Sequence, residues 1–174
     1  MERMMQMSKV INNVDCYVAK AAFNIVSNDK IADNLKNAEN IVTKSLGTLQ
    51  SQGIYACFLY LCSRKKNEKE YAEIVATELV KLMCELDKYL QSDLSPLQTL
   101  ISTNGEESKS DKVMKCISIA FSNEKNILNN LDEMQFVKDI MEKALIYTRY
   151  SIKALNRDKS KSDRTLTEGI QNNE

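Results

Sequence analysis

The residues able to do chemistry in this chain are few, and one type is missing altogether. No histidine occurs in 174 residues. That removes Ser-His-Asp and Cys-His nucleophile activation, imidazole metal ligation and the usual proton shuttle. Five cysteines remain, Cys16, Cys57, Cys62, Cys84 and Cys116, with no Cys-x-x-Cys pair. Each stands among apolar residues, so all five read as buried free thiols without the cationic or basic neighbour that makes a thiolate. A disulfide framework and a zinc site are not expected, nor is any other metal. The four glycines, at 47, 53, 105 and 169, are scattered and form no phosphate-binding loop.

Carboxylates offer one further possibility. Glu68, Glu70, Glu73, Glu78, Glu85 and Asp87 fall on one predicted helix. All-helical nucleotide hydrolases hold magnesium with carboxylates one helical turn apart on two facing helices, and Glu70 with Glu73 has that spacing. Glu85-Leu86-Asp87 does not, because residues two apart point to different faces. With Lys69, Lys81 and Lys88 interleaved, the cluster reads better as a solvated helix face. No catalytic residue and no cofactor is assigned.

Cations form two groups and an outlier. Arg64, Lys65, Lys66 and Lys69 cluster at a connection between helices. Arg149, Lys153 and Arg157 recur at i, i+4 and i+8, one row on a helix, where like charges repel by a few tenths of a kcal/mol per pair, roughly. An anion lying along the row would relieve that repulsion. The favourable field at a helix C-terminus is the competing reason for such a row. Tyr147 and Tyr150 lie nearby and have the chemistry to stack on bases, although Tyr147 fits a core position. Lys20 is an isolated cation on the first helix, and reads better as an ordinary solvated lysine.

The elements that must position these groups are helices. Leu, Lys, Glu, Met and Ala are abundant, while Gly and Pro total 4 and 1. Helical apolar stripes run from Lys9 to about Val26, from a cap at Asp33 to a stop at Gly53, and from Glu68 to Leu90. Ser95-Pro96 opens a further turn or two before a loop at Thr103–Ser108. Asp111–Ser122 and Asp132–Arg157 are the last helices. Ile54–Cys62 is apolar on all sides and reads as a short buried helix, with a buried strand as the alternative. The fold class expected is therefore all-α, a compact bundle of about five to seven helices in a single domain, 1–157. The polar stretch 158–174 is expected to be a disordered tail.

Formal net charge is zero, with 24 basic and 24 acidic residues, so any polyanion surface must come from local segregation of charge. Neither a signal peptide nor a membrane-spanning run is seen, which points to a cytoplasmic protein with no membrane partner.

The segment Ser45-Leu46-Gly47-Thr48-Leu49-Gln50-Ser51-Gln52-Gly53-Ile54-Tyr55-Ala56-Cys57-Phe58-Leu59-Tyr60-Leu61 resembles the small helical subunit of type III-B CRISPR effectors, the fifth subunit of the Cmr complex. In that family too a helix ends in a Gly-containing turn. An apolar helix, a basic connection and a Tyr-containing amphipathic helix follow, here Arg64-Lys65-Lys66 and the helix of Tyr71. The closing stretch from Glu142 through Arg149-Tyr150-Ser151-Ile152-Lys153-Ala154-Leu155 is similar to the family's C-terminal helix. Gln52, Gly47 and Ala56 stand where the family often has Asn, Pro and Gln. The resemblance implies a non-catalytic antiviral-defence subunit. It implies self-stacking copies beside other subunits of the effector, lining the groove where guide RNA pairs with target RNA. Phosphate contact would be electrostatic and blind to sequence, through cations such as Lys20, Arg64, Lys65, Lys66, Lys69, Arg149, Lys153 and Arg157. A helical protein–protein adaptor without RNA contact is the other reading of the same elements, and a magnesium-dependent hydrolase a third.

Overall fold

In the computed structural model, residues 13–102, 108–122 and 127–171 are described, and they contain seven α-helices and no strand. These are α1 (Val14–Val26), α2 (Asp29–Asp33), α3 (Leu35–Cys62), α4 (Lys69–Leu86), α5 (Ser95–Ser102), α6 (Lys109–Ser122) and α7 (Leu131–Gln171). Short 3-10 turns, Lys66–Glu68, Asp87–Tyr89 and Ile127–Asn129, lead into or out of them. The all-α bundle is the expected class.

Helix starts are set by asparagine. The side chain of Asn13 accepts from the Asp15 N–H (3.0 Å), Asn28 from Lys30 (3.2 Å) and Asn34 from Asn37 (3.1 Å). Each satisfies a donor that the helix leaves unpaired. Asn34, not the anticipated Asp33, therefore starts α3, and Asp33 closes the short helix α2. The expected beginning of α1 at Lys9 lies outside the described residues; the helix that is described begins after Asn13.

Gly53 does not end α3 but bends it. Its φ of 87° and ψ of −176° are open to glycine and strained for other residues, and helical geometry resumes at Ile54. The apolar run Ile54–Cys62 is thus the second arm of one broken helix, not a strand. It buries Ile54, Cys57, Phe58 and Leu61 at the centre. Gly47, on the first arm, is helical with nothing near its missing Cβ. Gly47→Ala is therefore expected to raise stability by about 1 kcal/mol, read as a higher urea midpoint with unchanged slope.

Long-range polar pairs fix the packing directions. Lys20 meets Glu85 (3.0 Å) and Asn24 meets Glu78 (3.0 Å), so α1 and α4 run antiparallel. Gln50 reaches Glu142 (3.5 Å) and Lys153 reaches Glu39 (3.8 Å), so α3 and α7 are antiparallel as well. Asp15 meets Lys143 (2.8 Å), and residues 19–27 share a groove with 147–155, which makes α1 and α7 parallel. The core between them holds Val18 and Ile25 of α1, Leu79 and Met83 of α4, and Val137, Met141, Leu145 and Ile152 of α7. Each such side chain contributes about 1.5–3 kcal/mol on burial. The buried hydroxyls of Ser45 and Thr148 donate to carbonyls four residues back, at 2.8 Å each.

α7 carries helical backbone through Arg157 to Gln171, a total of 41 residues. Its partner α3 begins only at Leu35, which the register above places level with Arg157. The packed portion of α7 therefore ends where the polar stretch begins. No helix among the described residues is long and apolar enough to cross a membrane.

Candidate functional site

The cations are best followed one at a time. Lys20 is tied to Glu85, whose hydrogen bond and charge hold the lysine above its ordinary pKa. Arg64 is a clasp at the end of α3. Its guanidinium lies 4.3 Å from the Tyr60 ring centre, its Nε donates to the Tyr60 carbonyl (3.2 Å), and a terminal nitrogen is 3.6 Å from Glu68. Lys69 lies 3.8 Å from Glu73. Lys65 and Lys66 are exposed and make no ion pair among the described residues. Lys66 has a φ of 51°, unusual for a residue with a side chain, which directs the chain sharply into the 3-10 turn. The basic connection thus splits into a structural pair, Arg64 and Lys69, and an exposed pair, Lys65 and Lys66.

On α7 the row Arg149–Lys153–Arg157 faces α3 unevenly. Arg149 is half-buried, and its Nε is enclosed without a hydrogen-bond partner among the described residues. Lys153 is held at 3.8 Å from Glu39. Arg157 is exposed. Two lysines that the sequence did not single out, Lys36 and Lys44, are exposed on the partner helix α3. The helical period puts Lys36 about 60° and Lys44 about 140° from Glu39, so Lys36 stands nearer the Glu39–Lys153 pair and Lys44 turns away from α7.

A wide concave feature lies on the other flank of α7. Ala19, Ala22, Phe23 and Val26 of α1 and Tyr147, Tyr150, Ala154 and Leu155 of α7 line an open groove of about 830 Å³, with Ser27 and Ser151 also in the lining. Its rims project: Phe23 is 69% exposed and Tyr150 66%. Such a run of uncovered apolar surface is a usual mark of an interaction site. Tyr147, read from the sequence as core, belongs to this groove and is partly exposed. Between groove and cations, Tyr150 and Lys153 are three residues apart on α7. The exposed side of this one helix therefore grades from charge to aromatic surface.

The carboxylates of α4 are dispersed. Glu70 lies 3.3 Å from Lys30, Glu73 accepts from the Ser110 hydroxyl (2.7 Å), and Glu78 accepts from Asn24 and Lys81. Among the described residues no group of three or more Cys, Asp or Glu side chains converges as a metal site would require. The carboxylate with the most specialised setting was not anticipated. Glu133, 8% exposed, accepts from the backbone N–H groups of Gln91 (2.7 Å) and Ser92 (3.1 Å) and from the Ser92 hydroxyl (2.5 Å). Burial disfavours its charge, yet these hydrogen bonds outweigh burial and hold it below the ordinary carboxylate range. Its work is to tie the 90–94 loop to the start of α7.

Cys57, Cys84 and Cys116 are buried as expected, and Cys62 is half-buried. Burial pushes Cys57 and Cys84 up to about 12 and Cys62 up to about 11, and raises Cys116, so none is a thiolate near neutrality. Cys16 corrects the sequence reading, being exposed. Its neighbours Val14, Tyr17 and Val18 are apolar, but the helical period turns position 16 away from the buried stripe of Val18, Ala21 and Ile25.

Compared with protein-family models, with curated proteins and with solved structures, the chain matches none.

Proposed function

We propose that the chain is a non-catalytic structural subunit of an RNA-guided ribonucleoprotein of the type III-B CRISPR kind, the family whose small helical subunit it resembles. In this reading its aromatic groove seats a neighbouring protein subunit, a stacked copy included. The cationic side formed by α3 and α7 runs along the backbone of guide or target RNA. The exposed pair Lys65–Lys66 adds a second contact at the end of α3.

One observation carries the reading: along α7 the groove of Phe23, Tyr147 and Tyr150 adjoins the row of Arg149, Lys153 and Arg157. A subunit that must hold both a protein neighbour and a phosphate strand needs two such surfaces side by side. Contact between such cations and phosphates fixes position without sequence readout. Zero net charge is compatible with this role, because a strip of cations suffices when base pairing supplies specificity.

The test uses Lys36→Ala, Lys153→Ala and Arg157→Ala together in the assembled complex. Affinity for unrelated single-stranded RNAs is expected to fall alike, and the slope of log affinity against log salt to shrink by about 2, from roughly 0.7 per lost phosphate contact. Unchanged binding at low salt rejects this face as the RNA surface. A helical adaptor that touches only protein is the second reading, favoured by the apolar groove. It predicts that Phe23→Asp with Tyr150→Asp abolishes assembly while the cation variants change nothing.

A further inference from the structure

The groove between α1 and α7 carries both halves of a contact. Phe23 and Tyr150 project from it, and the small side chains of Ala19, Ala22 and Ala154 leave room beside them. The two aromatics also stand level. The groove takes residues 19–27 of α1 and 147–155 of α7, and the Lys143–Asp15 hydrogen bond sets the same offset of 128 positions. Phe23 and Ser151 are the midpoints of those stretches, and Tyr150 is the neighbour of Ser151. None of the ten lining residues carries a charge. A phosphate strand, or a strongly acidic or basic segment, would lose water here and meet no counter-charge. A second copy of the same surface has no such cost. A two-fold contact sets a patch against itself, and an uncharged patch is then free of like-charge repulsion.

We infer that this groove is an isologous interface, covered by a second copy of the chain. A two-fold axis crossing its middle brings Phe23 and Tyr150 of one copy against Phe23 and Tyr150 of the other, whichever way the second copy runs. Rings so paired gain beyond the area they bury. The area is of the right order as well. With about 200 Å² for a whole aromatic side chain, Phe23, Tyr147 and Tyr150 alone expose roughly 350 Å². That is close to half of the ~800 Å² per partner in a stable dimer, and the exposed Leu155 and the rest of both stretches add to it. The inference rests on the reading of the groove as a docking face and names its occupant; it takes nothing from the cationic side.

The experiment is sedimentation equilibrium of the free full-length chain, without RNA or other protein, from about 1 to 100 μM. A shift from 19.8 kDa to twice that mass is expected, and it persists in about 0.5 M salt because no charge pair holds the interface. Phe23→Ala with Tyr150→Ala is expected to weaken dimerisation at least about 30-fold. Both side chains are mostly exposed, so the variant folds, and an unchanged helical circular dichroism signal checks that. Ser151→Asp and Ser151→Lys, at an exposed mid-groove position, are each expected to be monomeric, since each sets a charge near its own copy. Mixed together, the two variants are expected to pair. A chain that stays at 19.8 kDa throughout overturns the inference, as does a dimer that survives these substitutions, a dimer that dissolves in salt, or a mixture that fails to pair. Mass that keeps growing past two copies overturns it too, because the contact is then head-to-tail. No RNA is present, so failure here leaves the RNA-affinity test to judge the proposed function on its own terms.

Discussion

Replacing Glu133 by alanine is expected to destabilise the protein by about 3 kcal/mol and to lower its melting temperature by about 10 °C. The carboxylate accepts three hydrogen bonds from Gln91 and Ser92, and the Ser92 residue is buried. Truncation leaves those donors without their acceptor, and for the buried Ser92 that costs more than the bonds contribute net. Glu133→Gln, which keeps the shape and removes the charge, is expected to fall between. The pH dependence separates charge from shape. Because the folded pKa is depressed, the stabilisation from ionised Glu133 is complete above the unfolded value of about 4.3 and is lost as pH falls through the folded value. Urea unfolding should therefore show a large gap between wild type and Glu133→Gln at pH 7 that narrows toward pH 3. A gap of the same size at both pH values would show that the bonds act by geometry alone.

The second large effect is expected at Gly53. Alanine there must adopt φ 87° and ψ −176°, a conformation that side-chain-bearing residues rarely take. Nothing lies within contact of the added methyl, so the cost is backbone strain, about 2 kcal/mol. The consequence is also directional. If Gly53→Ala relaxes to helical geometry, the bend disappears and the second arm of α3 leaves the core. Phe58 and Leu61 are then exposed, and Tyr55 loses its edge-on contact with Phe121 at 5.8 Å. Unfolding that stays cooperative with a lower midpoint matches simple strain. A reduced denaturant slope matches loss of the second arm. Gly47→Ala on the same helix carries the opposite sign, although the space around both glycines is equally open. Backbone conformation, not room, decides each case.

Much of the bundle was legible in the residues. The 3.6-residue recurrence of Val18, Ala21, Ala22 and Ile25, and of Leu79, Leu82, Met83 and Leu86, marks helices and names the sides they bury. The apolar run Ile54–Cys62 named the centre of the core, and Gly53 announced a break. Whether that break was a stop or a bend was not legible, because Gly allows both and only the packing of the second arm on α4 and α6 selects one. The short helix α2 was not legible for a related reason: a five-residue helix has no periodicity to display.

The candidate site divides in the same way. That Arg149, Lys153 and Arg157 form a row follows from spacing along one helix. That Lys153 is held by Glu39 does not, because it depends on which helix lies alongside. Local periodicity states which way a side chain points within its own helix and says nothing about the neighbour it meets. Phe23 and Tyr150 make the point most directly. They are 127 positions apart in sequence, and they rim one groove only because α1 and α7 pack parallel, leaving the outer sides of both helices uncovered. The sequence by itself determined the helices and most of the core, since hydrophobic burial obeys a period written in the chain. The tertiary structure decided which charges are paired and which apolar surface stays open, since both depend on contacts between segments that no local pattern encodes.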